Sequence, residues 1–106
     1  MTTPVAVTQF AVKSHSSPDE VRNPEKTRVE IVRLEGFTLG RLSFEPGWRW
    51  SECIKPVAQT DSCQVSHVGY AVAGRVTVPP GHDAWVEGDE PFVGIEVMSA
   101  EQFAMP

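Results

Sequence analysis

A chain of 106 residues with 41% hydrophobic side chains has room for one compact domain and excludes a second of ordinary size. Its 14 acidic against 9 basic residues leave a net charge of -5 with no basic cluster, which argues against nucleic acid and anionic membranes as partners. No apolar run approaches the ~20 residues of a membrane span, and the first 12 residues lack the basic and apolar regions of a secretory leader. The expectation is a cytoplasmic protein whose Cys53 and Cys63 are thiols.

In chain order, residues 1–12 alternate weakly through Val5, Val7, Phe10 and Val12 and suit an edge strand or an arm that docks on a partner subunit. Residues 13–26 are polar. Ser17-Pro18-Asp19-Glu20 has the form of a helix start, with Ser at the cap, Pro next and acids in the first turn, and only one turn or a loop fits before Pro24. Residues 1–26 are therefore expected as an arm, 27–98 as the domain and 99–106 as a tail.

Thr27–Leu34 reads as the first strong strand, Glu35-Gly36 as a turn and Phe37–Phe44 as the returning strand. Apolar parity changes within that second strand, Phe37 and Leu39 against Leu42 and Phe44, and a β-bulge at Gly40 would produce such a change. Glu45-Pro46-Gly47 ends the strand, and residues 54–63 are expected as a loop too polar for the core.

Residues 65–73 alternate cleanly. Val68, Tyr70 and Val72 share one face, while His67, Gly69, Ala71 and Ala73 share the other. A face of His and small residues leaves open space above it, as a sheet-lined pocket requires. Ala73-Gly74 then predicts a tight turn, residues 75–78 a strand, and Pro79-Pro80-Gly81-His82 a type II turn. Trp85-Val86 and residues 92–98 complete the strands, and the tail is expected as a short turn or helix. Short strands with Gly or Pro in nearly every connection indicate an all-β barrel or sandwich.

These residues resemble the cupin superfamily of small jelly-roll β-barrels. His67 is separated from Gly74 by six residues, in the place where the first cupin motif has an acidic ligand, and Pro79-Pro80-Gly81-His82 is similar to the turn that delivers the last ligand. From Trp48 to Gly94 the chain is also similar to single-domain cupins with a Trp-Arg-Trp segment, a Cys before the His strand and a Gly-His-Asp-Ala-Trp run ending in Gly-Asp-Glu-Pro. It departs from them twice. The first motif's His-x-His pair is absent, and a hairpin that the resemblance implies between Val78 and Pro79 is missing.

The resemblance implies a divalent metal, Zn, Fe, Mn or Ni, on His67 and His82, with Glu52 or Cys53 as further ligands and Cys63 behind them. Asp83, adjacent to His82, points the other way along a strand and suits a supporting role. Trp48, Trp50, Tyr70 and Trp85 are the candidate pocket walls, although aromatic residues in a small barrel are more often core. Arg41 and Arg49 are candidate partners for an anionic ligand, and His15 is expected at the surface. The implied function is metal-assisted binding of a small organic acid or similar metabolite, the alternative a metal-free binding or sensing module. Open strand edges and the N-terminal arm suggest a homodimer.

Overall fold

The computed structural model describes residues 11–60, 67–78, 83–101 and 103–105. Its strands are β1 (Glu20–Arg22), β2 (Thr27–Leu34), β3 (Phe37–Phe44), β4 (Gly69–Ala73), β5 (Val76–Thr77), β6 (Trp85–Val86) and β7 (Phe92–Val97). Two single-turn helices, α1 (Trp50–Cys53) and α2 (Lys55–Ala58), and a 3-10 turn at Ser99–Glu101 complete it. The chain is all-β and its pairings are antiparallel, in a sheet ordered β1-β2-β3-β7-β4 and a separate β5-β6 pair. Among the described residues the strands stay open and do not close into a barrel. No helix there is long and apolar enough to cross a membrane.

The β2–β3 hairpin forms as the alternation predicts, with Leu34 opposite Phe37 across the Glu35-Gly36 turn. The turn needs a positive φ, and Gly36 supplies it at 74°. The expected bulge at Gly40 is absent, because the β2–β3 register runs unbroken from Thr27↔Phe44 to Leu34↔Phe37. Parity changes for another reason. The inner face is apolar toward one end of the hairpin, at Val29, Ile31, Leu42 and Phe44, while the outer face is apolar toward the turn, at Val32, Leu34, Phe37 and Leu39. Gly40 serves packing: a Cβ there would overlap the Cβ of Ala100 in the 3-10 turn. The bulge of this sheet lies in β4, between Ala71 and Ala73.

Two other expectations are corrected. The helix start at Ser17-Pro18-Asp19-Glu20 gives way to β1, since the Asp19 amide donates to the Ile31 carbonyl and its carboxylate accepts the Arg33 amide at 2.7 Å. Residues 54–58, expected as loop, begin with Ile54 at 1% exposure and continue as α2, capped by Gln59 at a left-handed φ of 60°. Their neighbour α1 has no cap from its own side chains. Asp83 caps it across the fold: Oδ1 accepts the Ser51 amide, and Oδ2 accepts the Ser51 hydroxyl and Arg49, each at 3.0 Å.

The core lies on the inner face of the sheet, where α1 and Ile54 cover Val29, Ile31, Leu42 and Phe44. Trp48 stacks flat on Phe44 with centroids 3.9 Å apart, and its indole donates to Thr27 Oγ1 at 2.9 Å, satisfying a buried N–H. The C-terminal segment closes one side. Arg22 Nη1 donates to the carbonyls of Ala100, Glu101 and Phe103, and Arg33 is paired with Glu101 and Glu20.

Candidate functional site

Across the inner face, antiparallel register sets Gly69 beside Glu96 and Ala71 beside Gly94. Three of these four positions carry no side chain larger than a methyl group. The absence of side chains leaves a hollow of about 250 Å³ over β4 and β7, walled by Leu42, Phe92 and Ala71 and bordered by His67 and Glu96. Phe92 lies against Gly94, since a Cβ there would come within 2.8 Å of two ring carbons. The open space read from the small-residue face of β4 is present where that alternation places it.

Glu96 is the polar end of the hollow. It reaches the inner face because Phe92, Gly94 and Glu96 share parity on β7, and Gly69 beside it contributes no side chain. Its Oε1 meets His67 Nδ1 at 2.7 Å, with side-chain exposures of 13% and 39%. The His67 ring also stands edge-on to buried Phe103, centroids 5.8 Å apart. In a neutral ring whose proton is on Nδ1, facing the carboxylate, the lone pair would be on Nε2, the tautomer suited to accepting a hydrogen bond or ligating a metal. Parity on the last strand is the signal in the sequence that would have found Glu96.

The other expected site residues are placed as follows. Tyr70 borders the hollow, but its side chain is on the opposite face of β4 and largely exposed, so it is not a pocket wall. Trp48 and Trp50 are buried in the core, and Trp85 is half-buried under the Arg49 guanidinium, 4.6 Å from its ring centroid. Its indole donates to Glu87 at 2.9 Å, and Thr77 donates to the same carboxylate oxygen, so Glu87 is held below the usual carboxylate range by those two bonds. Cys53 is a buried thiol within the core cluster, whereas Glu52 is exposed on α1. His82, Cys63 and the Pro79-Pro80-Gly81 turn lie outside the described residues.

Both candidate anion-binding arginines are paired internally: Arg41 with Glu30 at 2.6 Å and Arg49 with Asp83 at 3.0 Å. Burial raises the Asp83 carboxyl, but the Ala84 amide, Arg49 and Ser51 outweigh it and hold the group below its ordinary value. His15 is half-buried, its Nε2 3.3 Å from the Leu39 carbonyl oxygen. Among the described residues no group of three or more His, Cys, Asp or Glu side chains is placed to hold a metal ion. The chain matches no protein-family model, no curated protein and no solved structure, so the cupin likeness rests on the residues that carry it.

Proposed function

We propose that the protein binds a small organic molecule in the hollow over β4 and β7, as a single-domain cupin-like protein of the cytoplasm. One observation carries this reading: the sheet has nothing larger than a methyl group at Gly69, Ala71 and Gly94, beside a paired imidazole and carboxylate. Ligand pockets combine apolar walls with a few polar groups that fix orientation. Leu42 and Phe92 supply the first, His67 and Glu96 the second. Ala71→Leu tests it, because Ala71 is exposed and a larger side chain there fills the hollow. The variant is expected to fold and to lose binding of benzyl alcohol, a probe small enough for the space. Unchanged binding by calorimetric titration would remove the hollow as the site.

A second reading is favoured by the carboxylate on His67 Nδ1, an arrangement common behind metal-bound histidines. His67 would hold a divalent ion, Zn, Fe, Mn or Ni, through Nε2, with Glu96 fixing the ring and His82 as the further ligand that the cupin resemblance implies. Bound there, the ion would supply a Lewis acid to a ligand in the hollow. Elemental analysis of untagged protein decides it. About one equivalent of metal, lost in His67→Ala, is expected, and below ~0.1 equivalent, unrestored by any of the four ions, contradicts it.

We also propose a homodimer. Its support is that, among the described residues, β4 is an edge strand, with Tyr70 and the preceding Val68 exposed to 65% and 69%.

A further inference from the structure

Resting on the reading of the protein as a homodimer, we propose that two copies join edge to edge through β4, antiparallel about a two-fold axis at Tyr70, so that their sheets continue into one another. The sequence around that residue motivates the pairing. Val68-Gly69-Tyr70-Ala71-Val72 reads valine, small residue, tyrosine, small residue, valine in both directions. A two-fold interface brings the same patch of each copy together. An antiparallel pair centred on Tyr70 therefore sets valine opposite valine, Gly69 opposite Ala71 of the partner subunit, and tyrosine opposite tyrosine.

The backbone is in phase for this arrangement. The Val97 amide donates to the Val68 carbonyl and Tyr70 stands opposite Ile95, so Val68 and Tyr70 turn their backbone groups toward β7. Alternation then points the N–H and C=O of Gly69 and Ala71 the other way, at the edge that β4 leaves open among the described residues. Gly69 exchanges both of its hydrogen bonds with the partner's Ala71, and Ala71 with the partner's Gly69. The two tyrosines become the closer, non-hydrogen-bonded pair, on the face where Val68, Tyr70 and Val72 are exposed to between 59% and 69%. Charge permits the approach. Each copy carries a net -5, yet residues 68–74 contain no acid, no Lys or Arg and no Pro, so no acid in that stretch meets its own image and nothing blunts the edge. The register shift after Ala71 bends the strand beyond that point and keeps the pairing short.

Two measurements on the full chain test it, alongside its mass by light scattering. Hydrogen exchange at tens of micromolar is expected to find the Gly69 and Ala71 amides protected. Dilution to the monomer is expected to speed both at least ~10-fold, while the Tyr70 amide, bonded to β7, is unchanged. Oxidation of Tyr70→Cys in a Cys63→Ser background is expected to link two chains, because opposed Cα atoms of a non-hydrogen-bonded pair lie ~4.5 Å apart, within reach of a disulfide. Val72→Cys in the same background is expected to stay unlinked, its two copies being separated by ~14 Å along the strands. A dimeric mass with fast Gly69 and Ala71 amides, or with Tyr70→Cys linking no more readily than Val72→Cys, overturns the β4 pairing and leaves a homodimer joined elsewhere. Protection that persists in the monomer assigns the edge to a segment of the same chain and overturns the pairing too. A monomeric mass at tens of micromolar overturns the homodimer itself, and the pairing with it.

Discussion

Glu96 and Gly40 lie on the inner face of the same sheet, paired across β3 and β7, and each occupies its position because of what a neighbour lacks. Glu96 has room because Gly69 has no side chain, and Ala100 has room because Gly40 has none. Gly40→Ala sets two methyl groups in overlap at a backbone that cannot move without disturbing β2 and β7. It is expected to destabilise the fold by about 1–3 kcal/mol in urea denaturation, and an unchanged midpoint would mean that the 3-10 turn is displaced at no cost. Charge at single residues sets the acid limit. Hydrogen bonds from Arg22 and then Arg33 bring the Glu20 carboxyl from 4.5 down to about 2. A depressed carboxylate stabilises fully above its unfolded pKa, and that contribution is lost as pH falls through the folded one. The Glu20 contribution therefore fades between about 4.5 and 2. Solvent screens the pair, so the effect is modest. The melting temperature of Glu20→Gln is expected to fall less steeply than that of the parent over this window, and parallel curves would remove Glu20 from the acid transition.

The elements differ in how locally they are determined. Asp83 holds α1 from 32 residues away, with both oxygens engaged on Arg49, Ser51 and Ala84. Asp83→Ala removes these charged hydrogen bonds together and is expected to cost at least ~1.5–3 kcal/mol. Ile54→Ala, at the corner between α1 and α2, is expected to cost about 2–5 kcal/mol as a fully buried side chain, and a loss below ~1 kcal/mol would return that corner to the loop the sequence suggested. These two cases show where legibility ended. The β2–β3 hairpin was readable because its strands alternate, its turn has a glycine, and its partner is the next element in the chain. The α1–α2 corner was not, since its cap comes from Asp83 and Ile54 is the one buried residue of the polar run 54–58. β1 was hidden similarly: Ser17-Pro18-Asp19-Glu20 has helix-start chemistry, but Asp19 is used on Arg33 and Ile31 instead. At the site, alternation around His67 exposed the small-residue face, whereas pairing His67 with Glu96 required the β4–β7 register.

For the whole molecule, the sheet among the described residues ends on one side in β1, only three residues long, and on the other in β4, which carries exposed Tyr70 and follows exposed Val68. A short edge is protected, whereas an apolar edge is a surface for association. Light scattering is expected to give twice the 11.7 kDa chain mass and to return one chain mass for Tyr70→Lys, while a monomer at tens of micromolar, with or without the substitution, contradicts the dimer. The opposite face of the same strand forms the hollow, so β4 separates a proposed ligand site from a proposed interface. Occupancy of that hollow is the central claim. Its most direct test is an amide NMR titration of the parent protein with benzyl alcohol, which carries no charge and so reports the cavity alone. Saturable shifts centred on Gly69, Ala71 and Gly94 and abolished in Ala71→Leu are predicted, and shifts that are absent, or that persist in the variant, would contradict it.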